Sequence, residues 1–483
     1  MKKTFMTLAC IGFALSAQAV NPSLAHIQRT MKMLEDSTPE NPAHLRVLFY
    51  GQSITAQAWT STIRKQFQDA YPTAEFEFRN AAIGGYTSPA LARTAEHDLY
   101  PWYPDLLFFH VYGPMDKYEE IVRRTRGQTC AEIILWTSHL DSKEDAKALL
   151  AKPDARSLRI LELADEYHCM GIDLRTKWCR MLVESGNANT NLLRDGIHLN
   201  QAGCDLYAKF IGEEIRRAPE LGDNPGKSGT LTQVSVDSPA VTRGTDGSIA
   251  LRFKGNRVVA VSDGAGSAGA TAQVMLDGRP VGSHKDVWAI TRPSKGPKIW
   301  MPAINQVSFE KPLVAEDWTL TCLPDSRPDG SRVHFKVVGS VTGEDGEGWS
   351  SERFVSRSGR VVIEHADWRL NWELGYGKTT LPEGFEVTWT SYPLFTAVYE
   401  PKEAGARTLL MQCASSGEHT LTLTPGKKGA ALGLGGFVVY APAERCPAAS
   451  EGAGRSVGLA RGGQAPTAES TISTPSGYNT THE

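Results

Sequence analysis

Between positions 45 and 217, short apolar runs alternate with helix-like stretches, and this alternation limits the possible folds more than any other feature of the chain. The apolar runs cover 45–50, 76–78, 106–111 and 133–136, with a shorter one around 170–174. Helical patterning covers 56–71 and 157–168, and 201–217 is amphipathic. Nearly continuous apolar strands must bury both faces, and the intervening helices supply the cover. The pattern therefore predicts a parallel sheet in a three-layer α/β domain. Such sheets bind ligands at the carboxyl ends of their strands. Ser53, Gly85 and Gly113 each follow a predicted strand, so all three are expected along that edge.

The chain has 483 residues, more than one hydrophobic core usually organises, so further domains are expected. Residues 218–230 carry Pro219, Gly222, Pro225, Gly226 and Gly229 and read as a linker. From 231 to 446 the patterning changes to short alternating runs, at 248–253, 258–261, 272–276, 319–322, 333–338, 360–363, 385–390 and 419–423. Turn signals such as Asp277-Gly278 and Asp329-Gly330 separate them, which predicts an all-β sandwich or jelly roll. Residues 447–483 are Ala, Gly, Ser and Thr with almost no large apolar side chains, and read as a disordered tail.

Residues 1–19 have the make-up of an export signal: Lys2 and Lys3, an apolar core over 5–15, and the small-residue site Ala17-Gln18-Ala19. This predicts that the α/β domain spans 20–217 in a protein exported to the periplasm or beyond the cell. A lipid anchor at Cys10 would cut the apolar core in half and is disfavoured. No other stretch is apolar enough for stable membrane insertion. A net charge of −3 without a basic run argues against nucleic acid as a partner. Without Cys10, seven of the eight cysteines remain, so at least one has no intramolecular partner. No Cys/His spacing suits zinc, and no metal or organic cofactor is called for.

Two short motifs carry the chemistry. Gly51-Gln52-Ser53-Ile54-Thr55 places a serine where a strand gives way to a turn, and Asp195-Gly196-Ile197-His198-Leu199 spaces an acid and a base three residues apart. A serine at such a turn presents its hydroxyl at the sheet edge, and its backbone N–H faces a developing oxyanion. His198 suits the general base and Asp195 the group that orients it. Alone, Ser53 reads as a helix cap, and a lone Asp-x-x-His is weak. Together, in an α/β domain, they point to acyl transfer.

These blocks resemble the SGNH/GDSL family of serine esterases and lipases over about residues 45–215. Gly51-Gln52-Ser53-Ile54 stands where that family has Gly-Asp-Ser-Leu. Asn80-Ala81-Ala82-Ile83-Gly84-Gly85-Tyr86-Thr87-Ser88 resembles its second block, and Asp195-Gly196-Ile197-His198-Leu199-Asn200 its last. The resemblance implies a three-layer flavodoxin-like domain, catalytic Ser53, Asp195 and His198, and an oxyanion hole from the N–H groups of Ser53 and Gly85. One block departs. Met115 stands where the family places an oxyanion-binding Asn, in Tyr112-Gly113-Pro114-Met115-Asp116, and a thioether donates no hydrogen bond. Substitutes are sought in the segment from His110 to Gly113, although His110 reads more simply as a satisfied histidine at a strand end.

Other side chains have bland readings that are preferred: Gln52 steadies the turn, Arg194 faces solvent, and Trp59 is core. His139 and His168 are structural or exposed, and Glu119 and Glu120 begin a helix. Esterases with a β appendage resemble enzymes that deacetylate glycans, an analogy of architecture only. Seven tryptophans between Trp288 and Trp389 are available for sugar stacking, although most are expected in the core. The sequence thus predicts an exported esterase acting on an O-acetylated carbohydrate. A lipase or thioesterase on the same residues is the alternative, as is a glycan-binding protein whose catalytic domain Met115 has weakened.

Overall fold

The computed structural model describes residues 21–223 and 227–443. The predicted export signal and tail, and the middle of the predicted linker, lie outside the described residues.

Five parallel strands form the first sheet: β1 (His44–Gly51), β2 (Glu75–Asn80), β3 (Leu106–His110), β4 (Glu132–Trp136) and β5 (Met170–Ile172). Their order is β2-β1-β3-β4-β5. The chain thus reverses its direction of travel across the sheet between β1 and β3, a switch point where α/β folds place ligands. Side chains alternate between the two faces with a period of two. Val47, Phe49, Phe108, Ile134 and Trp136 enter one core, and Leu48, Tyr50, Phe109, Ile133 and Leu135 the other. This explains why the strands read as unbroken apolar runs.

Nine α-helices occur among the described residues. α1 (Gln28–Glu35), α2 (Trp59–Ala70), α5 (Ala146–Ala151), α7 (Leu174–Ser185) and α8 (Gln201–Gly212) pack on the first face. α3 (Ser88–Asp98), α4 (Met115–Gln128) and α6 (Ala155–Glu166) cover the second, giving the three predicted layers. α4 starts at Met115, ahead of Glu119 and Glu120, because Pro114 stands at its N-cap and Asp116 in its first turn suits the helix dipole. α9 (Leu370–Tyr376) lies within the β-rich part of the chain.

Among the described residues that β-rich part contains two large sheets, one nested in the other, and a two-stranded ribbon of Phe354–Val355 with Val362–Ile363. In the first, Ile249–Ser262 pairs antiparallel with Arg407–Pro425, from Arg407 opposite Val261 to Leu423 opposite Ile249. The predicted runs 248–253 and 258–261 are thus parts of one long strand. The chain leaves this sheet after Arg279–Pro280 and returns at Val398–Tyr399. Between these points it forms a second, five-stranded antiparallel sheet that includes Trp288–Ile290, Glu316–Cys322 and Glu386–Pro393. Each sheet has its own core, with Leu251, Val274 and Leu421 in the first and Trp318, Phe335 and Val387 in the second.

Both β units dock on the α/β layers. Tyr103 donates to Asn256 Oδ1 at 2.9 Å, and Asn256 Nδ2 donates to the Gln128 carbonyl at 2.8 Å, which fastens the first sheet behind α4. The inserted sheet seats on α3. His97 contacts the Ile290 carbonyl through Nδ1 at 2.9 Å and accepts from the Val307 N–H at Nε2. Arg93 Nε pairs with the buried Asp367 at 2.7 Å. The described cysteines, Cys130, Cys169, Cys179, Cys204, Cys322 and Cys413, are buried free thiols. Among the described residues no helix is long and apolar enough to cross a membrane.

Candidate active site

Ser53 lies in the turn between β1 and α2, at the carboxyl end of the strand beside the switch point. Gly51 is required before it: a side chain there would collide with the His110 carbonyl and the Thr55 hydroxyl. Gln52 is buried and its Oε1 accepts from the Ile54 N–H at 2.7 Å, so it steadies the turn as expected. Trp59 is also core, and its Nε1 donates to the Ile54 carbonyl.

The last motif comes to Ser53 from the far end of the domain. His198 Nε2 is 2.9 Å from Ser53 Oγ, and His198 Nδ1 is 2.9 Å from Asp195 Oδ2. A carboxylate only accepts, so Nδ1 carries the imidazole proton and Nε2 is left to take the serine proton. Asp195 Oδ1 also accepts from the N–H groups of Ile197 at 2.9 Å and His198 at 2.8 Å. Partial burial pushes its carboxyl up, but these amides and the imidazole outweigh that and hold it below its ordinary value.

Two side chains that the sequence did not single out for this purpose hold the motif in place. Gln57, on the turn that begins with Ser53, clamps Leu199 from both sides. Its Nε2 donates to the Leu199 carbonyl at 2.8 Å, and its Oε1 accepts from the Leu199 N–H at 3.2 Å. His139, after β4, reaches the Ile197 carbonyl through Nε2 at 2.7 Å. Burial lowers its pKa to about 4, so it is a neutral ring whose Nε2–H donates. The Ser142 N–H adds a bond to the Gly196 carbonyl at 2.9 Å. Arg194 is exposed, 3.7 Å from Asp195 Oδ2.

The oxyanion candidates are brought to the same edge. Asn80 accepts from the Ala82 N–H at 3.1 Å and donates to the Thr55 carbonyl at 2.8 Å, tying the loop after β2 to the serine turn. Gly85 has φ +78°, a conformation that favours glycine, and a Cβ there would lie 2.6 Å from Met301 Cε. Among the described residues neither the Ser53 nor the Gly85 N–H has a protein acceptor, and a Cβ placed on the neighbouring Gly84 would lie 3.7 Å from Ser53 Cβ.

Met115, where the resemblance would place a third oxyanion donor, offers no hydrogen-bond donor. Met115 is half-buried and packs against the apolar core under α3 and α4. His110 is buried 5.5 Å from the Trp136 ring, where desolvation lowers its pKa to about 3 and keeps it neutral. Gly113 sits after β3 as expected, with Arg156 donating to its carbonyl at 2.7 Å.

The inserted β sheet reaches this loop. Trp300 Nε1 donates to the Gly84 carbonyl at 2.8 Å. That carbonyl and the Gly85 N–H belong to one trans peptide and point in opposite directions. The indole therefore fixes the plane from which Gly85 offers its N–H. No sequence signal marks this contact, which joins residues 216 positions apart.

No family model matches the chain, and no curated protein matches it. Among solved structures it is similar to a two-domain esterase active on acetylated mannans, at 14% identity and a TM-score of 0.35, over 86% of this chain and 95% of that one. It is also similar to an acetylxylan esterase from Geobacillus stearothermophilus, at 19% identity and a TM-score of 0.32, over 36% of this chain and 95% of that one. An α/β hydrolase from the metagenome of Lake Arreo, Spain, matches at 17% identity and a TM-score of 0.31, over 36% of this chain and 96% of that one. At likenesses this low, the chemistry has to be read from the residues of this chain.

Proposed function

We propose that this chain is an exported serine esterase of the SGNH/GDSL kind that hydrolyses an ester on a carbohydrate, foremost an O-acetyl group. The observation that carries the reading is the unbroken contact from Asp195 through His198 to Ser53, beside two unclaimed N–H groups. Ser53 Oγ attacks the ester carbonyl as His198 Nε2 takes its proton, and the N–H groups of Ser53 and Gly85 receive the oxyanion. The ester C–O bond breaks, His198 returns the proton to the leaving sugar oxygen, and an acyl-serine remains. Water then attacks by the same route and releases the carboxylic acid. Asp195 orients the imidazole and stabilises its cation.

The test is hydrolysis of 4-nitrophenyl acetate and octanoate by the protein and by Ser53→Ala. Loss of about 10⁴–10⁶ in kcat is expected in the variant, with acetate preferred by the wild type. Preference for octanoate would move the assignment to a lipase or thioesterase. Equal rates with and without Ser53 would remove the serine mechanism and favour the glycan-binding alternative that Met115 motivates.

A further inference from the structure

Most aromatic side chains of the inserted β unit are buried or half-buried, Trp318 and Trp389 among them, but three are not. Trp300, Trp372 and Tyr376 are 48%, 44% and 52% exposed. They form one group. Trp372 and Tyr376 lie 5.2 Å apart and nearly parallel, at 12°, and Trp300 meets Tyr376 edge to face at 5.8 Å. The group begins at the nucleophile: a Cβ placed on Gly84 would be 3.3 Å from Trp300 Nε1 and 3.7 Å from Ser53 Cβ. We propose that these three rings are the ledge on which the sugar of the substrate lies while its ester reaches Ser53. This assignment rests on the esterase reading above.

Three arguments favour a sugar over other occupants. Three exposed aromatic rings in mutual contact mark a contact site, whereas single exposed apolar side chains are ordinary. Next, the rings are held before anything binds. The Trp300 indole is pinned to the Gly84 carbonyl, and the Arg369 guanidinium lies 4.6 Å over Trp372. α9 is anchored by the buried Leu370 and Leu374, and the Arg369 N–H donates to the Ala303 carbonyl. Rigid, amphipathic rings bind at little entropic cost. Finally, a pyranose has an apolar C–H face and a polar rim. An open ledge with half-exposed rings covers that face and leaves the rim in water, while an acyl chain has no polar rim and gains most from an enclosed apolar slot.

The experiment compares the full-length protein with Trp372→Ala and Tyr376→Ala. The probes are chemically O-acetylated xylo- and manno-oligosaccharides, with 4-nitrophenyl acetate as the ester without a sugar. Each variant should lower kcat/KM for the oligosaccharide about tenfold more than for 4-nitrophenyl acetate, with the difference in KM. Calorimetry on Ser53→Ala with and without Tyr376→Ala should show the same weakening of oligosaccharide binding. Parallel losses on both substrates, or no loss on either, would overturn the ledge while the esterase reading stands. Serine-dependent cleavage of 4-nitrophenyl acetate with no oligosaccharide cleaved would overturn the carbohydrate reading and the ledge together. A dimer that either variant dissociates would assign the rings to a second copy of the chain instead.

Discussion

Replacing Trp300 by Phe tests whether the inserted β unit takes part in catalysis. The substitution keeps a flat, though smaller, ring beside Tyr376 and removes the Nε1–H that donates to the Gly84 carbonyl at 2.8 Å. A neutral hydrogen bond contributes about 0.5–1.5 kcal/mol net. Deleting an oxyanion donor outright costs about 10²–10³ in rate, which sets the ceiling. Trp300 acts on the Gly85 donor at one remove, through a shared peptide plane. A loss of about 1 kcal/mol, or about fivefold in kcat, is therefore expected. The assay is steady-state hydrolysis of 4-nitrophenyl acetate, which has no sugar for the ring to hold. The oxyanion forms in acylation and in deacylation, so kcat should fall whichever step limits. A wild-type kcat in Trp300→Phe, or a loss confined to KM, would refute the claim that the indole orients Gly85.

Other perturbations test neighbouring parts of the structure. His139→Phe should lower kcat on the same ester about three- to tenfold by freeing the Ile197 carbonyl, with little change in KM; an unchanged kcat would leave His139 a packing residue only. Arg93→Ala leaves the buried Asp367 without the partner that Nε supplies at 2.7 Å, and should cost about 3 kcal/mol in urea unfolding while weakening activity through Trp300. Buried neutral histidines predict acid sensitivity. Burial lowers the pKa of His26, His97 and His139 to about 4 and that of His110 to about 3, below the unfolded value of about 6.5. Between those values the unfolded chain binds more protons, so stability is full above about pH 6.5 and falls as pH drops toward 4. Thermal midpoints between pH 7 and 4 check this, and His97→Gln should flatten the decline.

Much of the site was legible because its signals are local. β3, β4 and β5 are buried along their whole length and β1 nearly so, so their apolar runs showed directly, whereas the edge strand β2 is partly exposed and only its alternating Phe76 and Phe78 marked it. The order of Ser53, Gly85, Asp195 and His198 along the chain followed the strands. What pairs two side chains within a few residues, such as Asp195 with His198, can be read from spacing. The β-rich region was legible in kind and less so in organisation. A period of two marks a strand but not its sheet, so the nesting of Trp288–Ile290 through Glu386–Pro393 inside the other sheet left no mark. The runs 248–253 and 258–261 looked separate because Gly255 and Asn256 interrupt the pattern, yet both lie within one strand, Asn256 being the residue that docks on Tyr103.

The same distinction explains the block that departs from the family pattern. A sequence comparison looks for a replacement donor near Met115, among neighbours in the chain. The structure instead brings support from 216 residues past Gly84, on a loop of the inserted β unit. Trp300 supplies no third N–H to the oxyanion. It restrains one of the two that remain, that of Gly85, and Met301 closes the space above Gly85. A donor already held in its working orientation needs no reorganisation when charge develops, and such preorganisation is a main source of electrostatic catalysis. On this account the α/β domain carries the reacting groups and the inserted unit sets the geometry of one of them. An excised α/β domain with the triad intact should then lose more rate on 4-nitrophenyl acetate than Trp300→Phe does, because it loses Met301 and the docking of α3 as well. A domain that is folded by circular dichroism and equals the full chain in kcat would show that the insert contributes nothing to the chemistry.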